Sequence, residues 1–183
     1  MATELTDEFV LAAHFNLERV RELLAANPEL IHAERAGETA LAAAAHVGQR
    51  AIAELLLNAG APLDICCAAM LGRREAVASF LARDSKLALT KGAHGISLLF
   101  HVALGGDTVI ADLVVAAGGG EEPDGAVHGA VAKGHPAMVE WLFSHGASDA
   151  NVPNFQGKTP LRVATELGHA EIATALRARG GHE

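Results

Sequence analysis

The sequence predicts an all-α solenoid of about six helix-turn-helix repeats joined by short hairpin loops. Three observations predict this class: a helix-favouring composition, a marker residue that recurs along the chain, and two hydrophobic patterns in step with that marker. Half of the 183 residues are hydrophobic, and only 4% are aromatic. Ala and Leu, which lead the ranking of helix propensities, dominate the composition. The chain therefore has enough apolar residues to build an extended helical core.

The marker residue falls at the end of the first helix of each unit. The markers are Phe15, Gly48, Gly72, Gly106, Gly134 and Gly168, at steps of 33, 24, 34, 28 and 34 residues. Regular spacing of this length is typical of repeat architectures. The sequence therefore predicts a single domain, 1–183, with repeats at approximately 4–33, 34–61, 62–90, 91–119, 120–150 and 151–183. The third and fifth repeats lack part of their connecting segment, which explains their short steps.

Hydrophobic spacing predicts the two helices of each unit. The first helix has an inward position filled by Glu8, Leu41, Ile65, Leu99, Val127 and Leu161, and a second position three residues later filled by Leu11, Ala44, Ala68, Val102, Ala130 and Ala164. Residues three apart share one helix face. The second helix carries a triplet at i, i+3 and i+4, as in Ile52, Leu55 and Leu56. Stacking six such pairs would bury one continuous core.

Turn residues support these helices. Gly60, Gly118, Gly146 and Gly180 each follow their marker by twelve residues, where glycine commonly ends a helix in a left-handed conformation. Thr6, Ser97 and Thr159 are the predicted N-caps, and Pro136 is predicted in the first turn of a helix.

These residues resemble the ankyrin repeat family. The sixth repeat has Gly157-Lys-Thr-Pro-Leu161 followed by Leu167-Gly-His-Ala-Glu-Ile172, and the second repeat is similar, with Gly37-Glu-Thr-Ala-Leu41. The resemblance covers nearly the whole chain. The chain departs from the family in two respects: Thr-Pro is complete only at Thr159-Pro160, and the histidine of the family motif occurs only at His128.

The resemblance implies binding through hairpin tips and through the outer part of the first helices. The corresponding tip residues are Arg35, Ala36, Glu38, Ala93, His94, Ile96, Phe155, Gln156 and Lys158. The corresponding helix positions are Ala13/His14, His46/Val47, Met70/Leu71, Leu104/Gly105, Ala132/Lys133 and Glu166/Leu167. This resemblance predicts a protein-protein interaction module that binds another protein and has no catalytic activity.

Several of these positions are apolar and would form a surface patch if they lie together. The apolar members are Val47, Met70, Leu71, Ile96, Leu104, Phe155 and Leu167, and the charged members around them are Arg35, Glu38, Lys133, Lys158 and Glu166. An apolar patch that folding does not require suits a protein partner. The alternative is that some of these side chains are core residues, because the shortened repeats shift the inner face.

Charge and composition exclude other classes of partner. The formal net charge is −8 without a cluster of Lys and Arg, which disfavours binding to nucleic acid. The first residues lack the basic and apolar regions of a signal peptide, and no apolar stretch reaches membrane-spanning length. The two adjacent cysteines suit a reducing compartment. We expect a cytoplasmic protein without membrane contact, and a monomer, with self-association as an alternative.

No residue is assigned to catalysis, to a cofactor or to a metal. Ten histidines are present, but the spacing His-Glu-x-x-His is absent, so they are interpreted as structural or solvent-facing. Cys66 and Cys67 are interpreted as small buried thiols rather than nucleophiles. Two alternatives remain: a small-molecule or metal-binding regulator that uses the histidines, and an enzyme built on the same scaffold.

Overall fold

The computed structural model describes residues 2–183, with side chains from residue 4 onward. The predicted all-α repeat architecture is confirmed, because the described chain folds into six successive helix pairs. The helices are α1 (Ala2–Ala12), α2 (Leu17–Ala26), α3 (Ala40–His46), α4 (Arg50–Asn58), α5 (Ile65–Leu71), α6 (Arg74–Arg83), α7 (Leu98–Gly105), α8 (Thr108–Ala116), α9 (Pro123–Lys133), α10 (Pro136–Ser144), α11 (Pro160–Glu166) and α12 (Ala170–Ala178).

Short irregular segments connect the pairs. Strands β1 (Glu34–Arg35) and β2 (Glu38–Thr39) form an antiparallel hairpin before α3. Three 3₁₀ helices cover Pro28–His32, Ser85–Leu89 and Ala93–Gly95, the last of which forms the tip of the hairpin before α7. The first helices contact one another in chain order, from α1 to α11, and α3 also contacts α7 past α5. The first helices of the second and fourth pairs therefore approach each other across the third pair.

Local sequence signals define the helix ends. The side chains of Thr39, Asp64, Ser97 and Thr159 each accept a hydrogen bond from a backbone N–H in the first turn of α3, α5, α7 and α11. Such caps satisfy amide groups that have no partner within the helix. Ser97 and Thr159 were predicted as caps, and Pro136 begins α10 as predicted. Thr6, the third predicted cap, instead lies inside α1.

The marker glycines lie in the left-handed region of backbone conformation. Gly48, Gly72, Gly106, Gly134 and Gly168 have φ angles between 69° and 76°. At Gly106 the space is restricted as well, because a Cβ there would lie only 2.5 Å from Cγ of His135. The ring of one repeat therefore packs against the turn of the preceding repeat, which requires glycine at that turn.

The buried side chains form two hydrophobic cores rather than one. The N-terminal core contains the buried hydrophobic residues of α1 to α4 together with Leu104 of α7, and the C-terminal core contains the other buried hydrophobic residues of α6 to α12. Helix α5 contributes to both: Cys66 belongs to the C-terminal core, whereas Cys67 belongs to the N-terminal core. All seven residues of α5 are buried. This helix joins the two halves of the array.

The burial of α5 and its neighbours corrects the predicted surface patch. Met70, Leu71 and Leu104 are buried in the N-terminal core, so the prediction that they lie on the surface is wrong. The cause is the contact between α7 and α3 across the shortened third repeat, which encloses the end of α5 and packs Leu104 of α7 into the same core. Arg50 also donates hydrogen bonds to the carbonyl oxygens of Met70 (2.8 Å) and Leu71 (2.6 Å), which fixes the end of α5 against α4.

In α1 the residues that face inward differ from the predicted ones. Leu11, predicted to face inward, is 42% exposed, and Phe9 and Val10 are buried in its place. Glu8 is exposed and forms an ion pair with Arg19 at 2.7 Å. In the other five pairs, both predicted inward positions of the first helix are buried.

Candidate functional site

A groove crosses the inner side of the array and has a volume of about 810 Å³. Its lining comes from segments between the end of α1 and helix α11: His14, His46, Val47, His94, Gly95, Ile96, Ser97, Phe100, Glu122, Gly125, His128, Ala132, Val152, Pro153, Asn154, Phe155 and Val163. Most of these side chains are apolar or aromatic. Binding sites are typically concave and apolar with a few polar groups, and this groove has that character.

Residues of distant helix pairs come close together beside this groove. Lys133 on α9 lies against the turn after α3, where a Cβ at Gly48 would collide with Cε of Lys133. Burial lowers the pKa of Lys133. A side chain of the fifth helix pair therefore reaches the second pair, and residues far apart in sequence border one groove.

Three histidines and one glutamate converge at this groove. His14, Glu38, His46 and His94, hereafter the histidine–glutamate cluster, each place one potential ligand atom so that all four atoms lie within 4.8 Å of one another. Nδ1 of His46 is 3.1 Å from Oε1 of Glu38, and Nε2 of His94 is 3.2 Å from the same oxygen. Nε2 of His14 is 3.7 Å from Oε2.

Each member of the cluster comes from a different structural segment. His14 follows the end of α1, His46 is the last residue of α3, and Glu38 belongs to β2. His94 lies in the 3₁₀ turn before α7, with φ 57° and ψ 19°. Residues other than glycine adopt this left-handed region infrequently, although histidine does so more often than most. This backbone conformation holds the otherwise exposed imidazole of His94 beside Glu38.

The Glu38 carboxylate is buried without a hydrogen bond to Oε1. Its side chain is only 6% exposed, and its recorded ion-pair partners among the described residues are the three imidazoles. The contacts to Oε1 do not have hydrogen-bond geometry, so this oxygen is left without a partner. Burial lowers the pKa of His46, and the neighbouring Glu38 offsets part of that effect. A buried carboxylate in this position favours a positively charged partner.

The structure brings some of the predicted surface residues together and separates others. His46, Val47, His94, Ile96 and Phe155 line the groove, and Glu38 lies next to it in the cluster. The ring of Phe155 is 95% exposed at the tip of the hairpin before α11.

Several of the charged residues predicted around the patch are held in ion pairs. Arg35 on β1 is 3.6 Å from Asp7, and Lys158 forms an ion pair with Glu166 at 2.5 Å. Gln156 is exposed beside Phe155, whereas Leu167 is exposed outside the groove lining. The binding role of all these residues stays a prediction.

Several groove residues were not selected from the sequence. Phe100, Val152 and Val163 line the groove, although they occupy neither a tip nor a marker-adjacent helix position. His14 does occupy a marker-adjacent position and lies 32 residues before His46, nearly one repeat length. Repeat spacing, rather than the short spacing of a local metal motif, is the signal that would have paired these two histidines.

The other buried histidines have structural roles. Nδ1 of His101 donates to the carbonyl of Ser97 at 2.9 Å, and Nε2 of His128 donates to the carbonyl of Val152 at 2.7 Å. Nε2 of His135 lies 3.2 Å from the carbonyl of Leu104. Burial lowers the pKa of both His101 and His128, so these rings are neutral at pH 7. The bond from His128 connects α9 to the hairpin before α11.

The adjacent cysteines are enclosed by the core. Cys66 and Cys67 are free thiols and both are buried. Burial raises the pKa of each thiol to about 12. Since the thiolate is the nucleophilic form, neither residue is activated for nucleophilic chemistry. The burial and the raised pKa values agree with the interpretation of Cys66 and Cys67 as small buried thiols.

Comparisons with known proteins address the fold directly. A family model described as ankyrin repeats in three copies matches residues 98–182, and a model of a single ankyrin repeat matches residues 36–69. The stretch between the two matches contains α6 and the hairpin that carries His94. No curated protein matches the chain. Across residues 2–183, every helix is too short or too polar to span a lipid bilayer.

Proposed function

Because the chain belongs to the ankyrin repeat family, we propose that it is a non-catalytic interaction module that binds a partner protein in its inner groove and at its hairpin tips. Repeats of this family generally mediate protein binding. The observation that carries the proposal is the exposed ring of Phe155, which borders an apolar groove of about 810 Å³. A large apolar side chain in water adds nothing to the core, whereas aromatic side chains often supply much of the binding energy at protein interfaces.

The surroundings of Phe155 suit a protein ligand. Val47 and Ile96 are half-buried and line the same groove, so they offer apolar contact area beyond Phe155 itself. Lys158 and Glu166 supply charge near the rim. An apolar centre with a polar rim is the usual anatomy of a protein interface. The partner side chain that enters the groove is therefore expected to be apolar.

Affinity capture with a matched pair of phenylalanine variants tests the proposal. The wild-type chain and the variants Phe155→Ser and Phe15→Ser are immobilised, exposed to native lysate and analysed by mass spectrometry. Phe15 is also exposed, at 72%, but does not line the groove. We expect Phe155→Ser to lose the captured protein and Phe15→Ser to retain it. With that protein purified, we expect Phe155→Ser to bind it roughly 5- to 30-fold more weakly, as for loss of an interface hot spot.

The circular dichroism spectra of both variants serve as the folding control and are expected to match that of the wild type. Equal capture by Phe155→Ser and the wild type, with both folded, would contradict binding through this groove.

A further inference from the structure

We propose that the histidine–glutamate cluster is a binding site for a divalent transition metal ion, with Zn²⁺ as the expected ion. The site joins segments of the first, second and fourth helix pairs. It is independent of the proposed interaction function, because a metal could stabilise the array whether or not the groove binds a protein.

The distances in the cluster match the size of a zinc site. Zn²⁺ binds nitrogen and carboxylate oxygen at about 2.0–2.2 Å, and a tetrahedral arrangement then places ligand atoms roughly 3.3–3.6 Å apart. Oε1 of Glu38 is 3.1 Å from Nδ1 of His46 and 3.2 Å from Nε2 of His94, and Oε2 is 3.7 Å from Nε2 of His14. All four potential ligand atoms lie within 4.8 Å of one another, slightly wider than a metal-bound shell. Nδ1 of His46 also contacts the carbonyl oxygen of Ala42 at 3.1 Å, so metal binding through this atom requires the ring to give up that hydrogen bond.

The unsatisfied carboxylate is a second, independent observation. Oε1 of Glu38 is buried and accepts no hydrogen bond, although it points into the space between His46 and His94. An unpaired buried charge is costly unless it meets an opposite charge or a metal. A bound cation would supply that charge at the position where the protein leaves it missing.

The imidazole of His14 is already oriented in the manner of a metal ligand. Its Nδ1 donates to the carbonyl of Val10 at 3.1 Å, which leaves Nε2 free and directed toward Glu38. Hydrogen bonds of this kind from the second ring nitrogen to a carbonyl commonly fix metal-binding histidines. His94 also presents Nε2 and is held there by its left-handed backbone conformation.

The ligand set indicates the class of ion and its role. Three imidazoles and one carboxylate suit Zn²⁺, and hard cations such as Mg²⁺ and Ca²⁺ prefer all-oxygen sites. Four protein ligands fill a tetrahedral shell, which is the arrangement of a structural rather than a catalytic zinc site. The ion would connect β2 and the end of α3 to the hairpin before α7, past the shortened third repeat.

Metal titration of the chelator-treated full chain tests this site. We expect one Zn²⁺ per chain and a rise in melting temperature of roughly 5–10 °C when free Zn²⁺ exceeds its dissociation constant a hundredfold. Co²⁺ is expected to give the visible absorption of a tetrahedral complex. Variants His94→Ala and Glu38→Gln are expected to weaken Zn²⁺ binding roughly tenfold or more, whereas His32→Ala, an exposed histidine outside the cluster, is expected to bind as the wild type does.

The variant Glu38→Gln also distinguishes a metal-binding cluster from a cluster that forms only internal ion pairs. Without metal, this variant removes a buried unpaired charge, so its melting temperature is expected to equal or exceed that of the wild type. The proposal is overturned if the wild type shows no Zn²⁺-dependent rise, or if His94→Ala and Glu38→Gln both bind Zn²⁺ as tightly as His32→Ala does. His94→Ala keeps the test valid if Glu38→Gln misfolds, since His94 is an exposed residue.

Discussion

At the residue scale, Met70 shows how completely single side chains are enclosed in this array. It is fully buried in the N-terminal core, together with Leu71 and Leu104. Truncation of a buried methionine loses its transfer free energy and leaves a cavity. We expect Met70→Ala to lower the free energy of unfolding by about 2–5 kcal/mol. Urea denaturation followed by circular dichroism measures this change.

A leucine on the surface provides the control for Met70. Leu167 is 52% exposed, so Leu167→Ala is expected to change the free energy of unfolding by about 0.5 kcal/mol or less. Comparable losses in the two variants would show that Met70 is not enclosed as described.

Burial of His101 predicts a dependence of stability on pH. The pKa of this histidine is lowered by burial in the folded chain, only partly offset by its hydrogen bond to Ser97 and by Asp64, whereas the unfolded chain has the ordinary value of about 6.5. The unfolded state therefore binds more protons, and stability is lost as pH falls below about 6.5 and through the folded-state pKa.

The variant His101→Gln isolates this contribution. We expect its free energy of unfolding to fall less than that of the wild type between pH 7.5 and pH 5.0, because glutamine takes up no proton in this range. Urea denaturation at the two pH values measures the difference. Parallel losses in both proteins would assign the acid sensitivity to other groups, such as His128.

At the element scale, the turn after α7 depends on a contact between successive repeats. Gly106 has a φ angle of 76°, and a Cβ there would collide with the ring of His135. We expect Gly106→Ala to lower the free energy of unfolding by about 1–2 kcal/mol from backbone strain, with an additional loss from displacement of the ring. Thermal and urea denaturation measure this change.

A second substitution separates the two causes. In a His135→Ala background, Gly106→Ala is expected to cost less, since only the backbone strain remains. An unchanged cost in that background would mean that the ring does not restrict the turn.

The elements themselves were largely predictable, because the signals that specify them are local. The period of Ile52, Leu55 and Leu56 predicts α4, and Gly134 predicts the end of α9. The sequence left Met70 open between surface and core, because its burial depends on how a shortened repeat positions α7. The candidate site was predicted in part. His46, His94 and Glu38 were selected one by one, but their convergence with His14 depends on the contact of α3 with α7 and with the turn before it, which brings together residues 80 positions apart.

At the scale of the whole molecule, the array consists of two cores that meet at α5 and at the end of α7. In a repeat protein, each repeat contacts mainly its neighbours. The free energy of unfolding is therefore approximately a sum of contributions from single repeats and from the interfaces between them. Helix α5 supplies most of the interface between the cores, and the contact between α3 and α7 adds to it. The two halves are therefore expected to open with different free energies under mild denaturing conditions.

The two thiols of α5 offer a direct measurement of this behaviour. We expect variants that retain only Cys66 (Cys67→Ala) or only Cys67 (Cys66→Ala) to react with iodoacetamide far more slowly than an unfolded chain, roughly a hundredfold for an opening free energy of about 2.8 kcal/mol. Mass spectrometry over a series of low urea concentrations gives the two rates. Reaction at the rate of the unfolded chain, in folded protein, would contradict burial of these groups.

The two adjacent cysteines therefore report on different cores. Cys66 belongs to the C-terminal core and Cys67 to the N-terminal core. An agent that stabilises one core alone, whether an ion or a bound protein, is expected to slow alkylation of the sulfur in that core more than alkylation of the other. The difference between the two alkylation rates would therefore show which core an unidentified ligand stabilises, without an added fluorophore or an engineered probe.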